Sequence, residues 1–337
     1  MSTVTRRTLI GAALLTGLAA CTPDDGAPGS SAIPSPSSPA PASKLTVGLT
    51  YVPDIQFAPL YVAHHFGWFT EEGLDVTLRH HGAQEKLLGA LQTGDEDVVF
   101  AGGGEMLQGR SQQIPVRSFA TVYQQYPVAL IVPADSAIQS FADLKGHTIG
   151  LPGQYGENWF FLLAALAEAG LTPADVDIKS IGYTQYAGLT EAQVGSVVGF
   201  LNNDVVRFAE GGFAIRTLTL ADPPLVSVGF GALDVTVDAR HEDLRAMVRA
   251  AARGAQLCVS DPEQAVQIAV AYVPTLTGPE QQSHALAVLK ATTKLFGDQF
   301  GSQDRLRWEA MAAFFVEHEL VSSPVPAREA FTADITG

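Results

Sequence analysis

The feature that most constrains the fold of this chain is a regular alternation of short β-rich runs and helical runs. Residues 45–50, Leu-Thr-Val-Gly-Leu-Thr, predict a strand, residues 58–68 a helix, and residues 74–78 a strand with period two. The same alternation predicts strands at 97–101, 116–123, 129–132, 147–151, 177–181 and 194–200, and helices at 84–93 and 157–169. Short strands separated by helices predict an α/β fold, with parallel sheets covered by helices on both faces.

The pattern changes after residue 228. Four helical stretches follow, at 238–260, 262–272, 279–296 and 304–320, and no convincing strand lies between them. Ligands of open α/β sheets bind beyond the carboxyl ends of strands and at helix N-termini. The loops expected there are 51–57, 102–105, 124–126, 152–159, 183–186 and 202–204. They are rich in aromatic, amide and acidic side chains and contain no Arg or Lys.

Composition narrows the classes of function. The chain has 337 residues, 47% of them hydrophobic, and a net charge of −15 at pH 7. That apolar content excludes disorder for most of the chain, and the length suits two lobes better than one. The acid excess disfavours nucleic acid as a partner, because such binding depends on Lys and Arg that replace phosphate counterions. Two cysteines are too few for a disulfide scaffold or a four-cysteine zinc site.

The N-terminal residues have the pattern of an export signal. Arg6 and Arg7 precede an apolar run, residues 9–20, that is too short to cross a bilayer as a helix. The run ends in Leu18-Ala19-Ala20-Cys21, which resembles the lipobox of bacterial lipoproteins. Residues 1–20 are therefore predicted to be a signal peptide, and the resemblance implies cleavage before Cys21 and lipidation of its thiol. A signal peptide with an incidental cysteine is the alternative.

The route of export and the segment after the cysteine complete this prediction. Residues 5–10, Thr-Arg-Arg-Thr-Leu-Ile, are similar to a degenerate twin-arginine signal, so twin-arginine and Sec export both remain open. Pro, Ser, Ala and Gly dominate residues 21–43, which predicts a disordered tether after the lipidated cysteine. The globule would then be held at the outer face of the cell membrane. Cys258 falls in a predicted helix and is expected to be a buried apolar residue.

Seven motifs of the globule are distinctive. They are Tyr51-Val52-Pro53-Asp54-Ile55-Gln56-Phe57-Ala58-Pro59-Leu60-Tyr61-Val62-Ala63, Gly67-Trp68-Phe69, Glu72-Gly73-Leu74-Asp75-Val76, Gly102-Gly103-Gly104-Glu105, Asp143-Leu144-Lys145-Gly146, Gly150-Leu151-Pro152-Gly153 and Val198-Gly199-Phe200-Leu201-Asn202-Asn203-Asp204. Together they resemble substrate-binding proteins of the sulfonate-binding and thiamine-pyrimidine-synthase-like superfamily. Residues 155–158 and 202–204 are most similar to the branch that binds thiamine pyrimidine precursors or riboflavin. Residues 195–197, Gly-Ser-Val, depart from the pattern, since relatives often carry an acidic residue there.

The resemblance implies a type II periplasmic-binding-protein fold, in which two lobes joined by two crossover strands close on a ligand. The crossings are expected near residues 124–127 and 217–224. The first lobe would contain residues 44–123 and be completed by residues 223–337 with the C-terminal helices. The second lobe, with the crossover segments, would contain residues 124–222.

The candidate ligand-binding residues combine these loops with the motifs of the resemblance. They are Asp54, Gln56, Phe57, Tyr61, Gly103, Glu105, Gln124, Tyr155, Gly156, Glu157, Asn158, Trp159, Asn202, Asn203 and Asp204. Four of them are acids, which would repel a buried anion and would accept hydrogen bonds from the amino and ring N–H groups of a planar heterocycle. Phe57, Tyr61, Tyr155 or Trp159 could stack on the ring of such a heterocycle. Taken singly, each acid could also be a helix N-cap or a solvated loop residue. The glycines at 102–104 could form only a tight turn.

The sequence therefore predicts the receptor of an ABC importer for a thiamine pyrimidine precursor, such as hydroxymethylpyrimidine or formylaminopyrimidine, or for riboflavin. A receptor for sulfonate, taurine or nitrate is the first alternative. A pyrimidine-synthase-like enzyme is the second, and it is disfavoured because that enzyme depends on a cysteine-rich cluster. The expected partners are a permease and its separate ATPase, because the chain has no nucleotide-binding loop of its own. A monomer without a cofactor is expected. No metal is expected either, since the adjacent histidines at 64–65 and 80–81 point to different faces and cannot chelate one ion together.

Overall fold

The structure is a computed structural model that describes residues 42–82 and 85–336. The predicted signal peptide, the predicted lipidation site Cys21 and nearly all of the predicted tether lie outside the described residues. Within the described ranges, none of the helices combines the length and the apolar character that a membrane crossing requires. Strand β1 already includes Ser43, which the sequence analysis assigned to the tether.

Two mixed sheets of five strands form the framework of the described part of the chain. The strands are β1 Ser43–Leu49, β2 Leu74–His80, β3 Val98–Gly102, β4 Val116–Thr121, β5 Val128–Pro133, β6 Thr148–Leu151, β7 Asp177–Ser180, β8 Ser196–Phe200, β9 Ile215–Leu218 and β10 Val228–Leu233. The first sheet has the order β2-β1-β3-β10-β4, and the second has the order β7-β6-β8-β5-β9. We refer to each sheet with its helices as the first and the second lobe.

The chain passes from the first lobe to the second between β4 and β5 and returns between β9 and β10. Each of these passages leads into a strand that runs antiparallel to its neighbours. Strand β5 is antiparallel to β8 and β9, and β10 is antiparallel to β3 and β4. The other pairs, β1 with β2 and β3, and β6 with β7 and β8, are parallel. Parallel strands place their carboxyl ends at one edge of the sheet, and the loops that follow them meet there.

Helices cover both sheets. They are α1 Ala58–His65, α2 Trp68–Glu71, α3 Gly89–Thr93, α4 Gly103–Ser111, α5 Gly156–Glu168, α6 Gln185–Thr190, α7 Asp204–Glu210, α8 Asp234–Ala239, α9 His241–Ser260, α10 Pro262–Ala269, α11 Pro279–Thr292, α12 Arg305–Glu317 and α13 Ala327–Ala330. Helices α1 and α9 approach each other closely, because a Cβ on Gly254 would lie 1.9 Å from the carbonyl oxygen of Pro59. A glycine is therefore required at this crossing.

The α/β class predicted from the alternation is confirmed. The prediction of parallel sheets is wrong, because β5 and β10 run antiparallel to their neighbours. The alternation also did not identify β9 and β10. Strand β10 has the sequence Val-Gly-Phe-Gly-Ala-Leu, and glycine weakens the strand signal. Gly229 is needed there, since a Cβ would lie 2.1 Å from the carbonyl oxygen of Ala120 on β4. The helix predicted at 58–68 is divided into α1 and α2 at Gly67, whose φ of 71° is left-handed. The helix predicted at 84–93 is shorter, because α3 begins at Gly89.

Candidate functional site

The N-terminus of α4 follows β3 without a loop, and this places an acid between the lobes. Glu105 is the third residue of α4, and its carboxylate accepts a hydrogen bond from the Gly102 backbone N–H at 3.0 Å. A carboxylate in this position satisfies a free N–H of the first helical turn. Glu105 is therefore a helix-terminus acid, as the alternative interpretation of the sequence allowed. Burial raises the pKa of its carboxyl above the ordinary value.

Helix α5 brings a second acid, Glu157, to the same place from the second lobe. Glu157 is 8% exposed, and neither of its carboxyl oxygens has a hydrogen-bond partner. A Cβ on Gly102 would lie 2.0 Å from Glu157 Oε1 and 3.2 Å from Glu105 Oε2, so these two oxygens lie within about 5 Å of each other. Burial, followed by the nearby Glu105 carboxyl, raises the pKa of Glu157 to about 8.

Four further buried polar atoms without a partner belong to residues at the ends of elements of the two lobes. They are the hydroxyls of Tyr123 and Ser227 and the amide oxygens of Asn158 and Asn202. Each residue lies close to the end or the beginning of a strand or of α5. Buried polar groups in proteins almost always have partners, so unsatisfied ones are candidates for contact with a polar ligand. Tyr123 and Ser227 are not among the sequence candidates, although both flank the predicted crossings.

Exposed tyrosines from both lobes lie beside the carboxyl pair. Tyr155 and Tyr183 of the second lobe are 57% and 72% exposed, and Tyr51 of the first lobe is 53% exposed. The hydroxyl of Tyr155, followed by partial burial, raises the pKa of Tyr183 to about 12, and Tyr51 and Glu105 add to the shift. These four groups are therefore close in space. Of the three tyrosines, only Tyr155 was a sequence candidate, although Tyr51 begins the first of the seven motifs and Tyr183 lies in one of the loops expected at the ligand site.

A cavity of about 650 Å³ opens where the two lobes meet α11. Asp54 of the first lobe and Asn203 and Glu210 of the second line it, together with His284 of α11. Glu210 and His284 are bonded at 2.7 Å, which links the second lobe to α11. The Asp54 carboxylate accepts a hydrogen bond from the Gln56 backbone N–H at 3.0 Å, and burial raises its pKa. The candidates Asp54 and Asn203 thus line the same cavity. The candidate Gln56 is half-buried, and its backbone N–H binds the Asp54 carboxylate.

Two predicted stacking residues lie in the core of the first lobe. Phe57 is 2% exposed and contacts the rings of Tyr61, His80 and Phe100 edge-on. Tyr61 is fully buried, its ring stacks on that of Tyr272 at 4.6 Å, and its hydroxyl bonds to His80 at 3.1 Å. Neither ring is available to a ligand in this structure. The aromatic character that suggested stacking serves packing within the lobe.

The side chains of the polar candidates Gln124 and Asp204 form hydrogen bonds with backbone groups. The Gln124 amide donates to the carbonyl oxygens of Thr121 and Ser302, at 2.6 and 3.2 Å. Asp204 accepts a hydrogen bond from the Phe200 N–H at 2.7 Å, and burial raises its pKa to about 6. Oδ2 of Asp204 accepts that bond, and Oδ1 takes no part in it.

The remaining candidates shape the backbone or the core. Trp159 is half-buried between the two apolar clusters that α5 contacts. Gly103 lies against Val226, where a Cβ would approach the valine side chain to 2.7 Å. Gly156 has a left-handed φ of 63° at the start of α5.

One group away from this junction has the composition of a metal site. Ligand atoms of His81, Glu85 and Glu96 lie within 4.8 Å of one another. Arg79, however, forms ion pairs with Glu96 at 2.6 Å and with Glu85 at 2.7 Å. The guanidinium already supplies the positive charge that these carboxylates need, so the group forms an ion-pair network on β2.

Comparison with known proteins gives this junction its context. Residues 54–265 match the family model described as NMT1/THI5 like. The chain belongs to this family. It is 31% identical to the riboflavin-binding protein RibY of Chloroflexus aurantiacus over 332 residues, 95% of this chain and 93% of that protein. It is 26% identical to a formylaminopyrimidine-binding protein of Halalkalibacterium halodurans, over 85% of this chain and 89% of that protein.

The NMT1/THI5-like chain also resembles solved structures. The periplasmic aliphatic sulphonate-binding protein SsuA of Escherichia coli superimposes with a TM-score of 0.70 at 16% identity, over 85% of this chain and 96% of that one. This likeness confirms the periplasmic-binding-protein fold. The family match and the two binding-protein relatives confirm the resemblance found in the motifs. More distant relatives, at 22% and 24% identity, are named 4-amino-5-hydroxymethyl-2-methylpyrimidine phosphate synthase.

Proposed function

We propose that this chain is the solute-binding component of an ABC importer and that it captures a small planar heteroaromatic. The observation that carries the proposal is the buried carboxyl of Glu157, whose two oxygens have no partner, together with the unpartnered buried atoms of Tyr123, Asn158, Asn202 and Ser227. The loops that provide this set contain no Lys or Arg. The names of the two binding-protein relatives support either riboflavin or a pyrimidine precursor of thiamine as the ligand.

The charges between the lobes favour a neutral N–H donor over an anion. A buried anion beside Glu105 and Glu157 would lose several kcal/mol to repulsion and desolvation, which would weaken a micromolar affinity of about −8 kcal/mol to about the millimolar range. A heterocycle that donates N–H groups to carboxylates would gain about 1.5–3 kcal/mol per bond. Stacking on the exposed rings of Tyr51, Tyr155 or Tyr183 would add about 0.5–1.5 kcal/mol each. Two or three such contacts, together with burial of the ring, would reach micromolar binding.

Calorimetry or thermal shift of the purified chain tests this proposal. The panel contains an aminopyrimidine, thiamine, riboflavin, taurine and nitrate. We expect a response to at least one heterocycle and none to the two anions. Binding of taurine or nitrate without any response to a heterocycle would refute the ligand class and favour the anion receptor. Consumption of the bound molecule would instead favour a synthase-like enzyme.

The cysteine of the described part gives no support to that enzyme. Cys258 is fully buried in α9, and burial raises the pKa of its thiol to about 12. Such a thiol is neither a nucleophile nor a ready metal ligand. A receptor that hands its ligand to a permease needs no reactive group of this kind.

Export and anchoring belong to the same proposal. The chain is secreted by the Sec or the twin-arginine route, acylated on Cys21 and held as a monomer at the outer face of the cell membrane, where it meets the permease and its ATPase. The support is the lipobox-like sequence before Cys21 and the tether after it. Fractionation of cells that express Cys21→Ala is the test. Release of the variant from the membrane fraction is expected, and full retention would refute the anchor.

A further inference from the structure

The surroundings of the carboxyl pair between the lobes cannot keep both of its groups ionised. Glu105 comes from the N-terminus of α4 in the first lobe and Glu157 from the N-terminus of α5 in the second. The space between them is kept free by Gly102, where any side chain would collide with Glu157 Oε1. Two carboxylates this close in a buried space cannot both hold a full charge without a counter-ion.

Nothing among the described residues supplies that counter-ion. None of their ion pairs includes Glu105 or Glu157. Glu105 accepts one backbone hydrogen bond, and the Tyr126 hydroxyl, which lies close to the Glu157 side chain, donates to the Glu157 backbone carbonyl at 3.1 Å. The other titratable groups that face the pair include Tyr126 and Tyr183, and the carboxyl groups contribute to raising the pKa of both. Tyr126 and Tyr183 are therefore neutral near pH 7 and supply no positive charge.

We propose that Glu105 and Glu157 share one proton and that the protonated pair recognises a ligand edge with an N–H donor next to an acceptor. One carboxyl group then donates an O–H and the other accepts an N–H, which two carboxylates cannot do because neither has a donor. The imide edge of a flavin, with N–H beside C=O, has this pattern. An aminopyrimidine, with an amino group beside a ring nitrogen, has it too. The inference rests on the proposed function and specifies the protonation state of its site.

The shared proton makes ligand binding depend on pH in one direction. Loss of the proton leaves two acceptors facing the ligand's own acceptor, so binding requires the pair to take the proton back. Above the titration of Glu157, whose pKa burial raises to about 8, the Kd should therefore rise about tenfold for each pH unit. Below it, the Kd should be constant.

Riboflavin is the probe, and quenching of its fluorescence by the full chain between pH 6 and 9.5 gives the Kd. We expect a flat profile up to about pH 8 and a Kd about 30-fold higher at pH 9.5. Calorimetry at pH 9 in buffers of different ionisation enthalpy should record the uptake of close to one proton per ligand bound. Glu157→Gln should lose both the slope and the proton uptake, because a carboxamide offers a donor and an acceptor at every pH. Glu168→Gln, an exposed site on the same helix, is the matched control and should keep both.

The outcomes separate this inference from the proposed function. Riboflavin binding that is independent of pH, with no proton taken up by the wild-type chain, overturns the shared proton and leaves the receptor intact. Riboflavin and aminopyrimidine that both fail to bind at every pH overturn the proposed function itself. If Glu157→Gln does not fold, the proton uptake of the wild-type chain still decides between the two results.

Discussion

The burial of Glu157 should make the stability of the ligand-free chain fall as the pH rises, and Glu157→Gln should remove that fall. The pKa of the carboxyl is raised from an ordinary value of 4.5 to about 8 in the folded chain. The folded state therefore binds the proton more tightly than the unfolded state between these two values. Stability from this group is complete below about pH 4.5 and is lost progressively as the pH rises toward 8.

The magnitude follows from the size of the shift. One unit of pKa difference corresponds to about 1.4 kcal/mol, so the 2.5 units between 4.5 and pH 7 amount to about 3 kcal/mol. Glutamine at this position has the same shape and no charge to desolvate. Relative to the wild-type chain, Glu157→Gln should gain nothing at pH 4.5 and about 3 kcal/mol at pH 7. With an unfolding entropy near 2.1 cal/mol/K per residue, this corresponds to about 5 °C in Tm for a globule of this size.

Thermal and urea unfolding at pH 5, 6, 7 and 8 measure the difference. Glu168→Gln makes the same chemical change at an exposed position of α5 and should follow the wild-type profile. Asp204, whose pKa is raised to about 6, titrates in all three proteins and cancels in the comparison. A difference between Glu157→Gln and wild type that does not grow with pH would refute the buried, unneutralised carboxyl.

Three further outcomes follow from close contacts and burial. Gly102→Ala should weaken riboflavin binding by at least about tenfold in a fluorescence titration, because the new methyl group would lie 2.0 Å from Oε1 of Glu157 and displace the side chain. Gly254→Ala should cost about 2–3 kcal/mol in urea unfolding, although alanine favours helix, because its Cβ would lie 1.9 Å from the Pro59 carbonyl oxygen. Gly89→Ala, where only an ordinary contact of 3.4 Å arises, is its control. In a Cys21→Ala chain, Cys258 should react with a thiol reagent at pH 8 only after the chain unfolds, and rapid reaction of the native chain would contradict its burial.

The sequence predicted the parts of the fold whose strands are apolar and bounded by turns. The run Val98–Gly102 is fully buried and strongly β-forming, and its prediction at 97–101 is confirmed within a residue. Strand β9, Ile-Arg-Thr-Leu, is half-buried, and β10 contains two glycines that its neighbours require for space. Neither has a local signal, because tertiary contacts decide both strands.

The site was less predictable, because polar character does not tell which way a side chain points. Asn158 and Asn202 were candidates and have unpartnered buried oxygens, while Gln124 was an equal candidate and bonds the backbone. Tyr61 was chosen for an aromatic ring that packs in the core, whereas exposed Tyr183 has the same ring and no motif around it. The proximity of residues from two lobes depends on how the sheets meet, which no local pattern contains.

The position of β10 has a consequence for how the chain acquires its fold. All strands of the second sheet lie within 128–218, so that sheet can assemble from one continuous stretch. The first sheet needs β10 between β3 and β4, and β10 comes more than one hundred residues after β4. Until residues 228–233 are available, β3 and β4 present unpaired edges, and such edges are prone to aggregation. The first lobe, which contains β1, is therefore the last to be completed. Insertion of β10 between β3 and β4 is the slow, long-range event expected to govern folding.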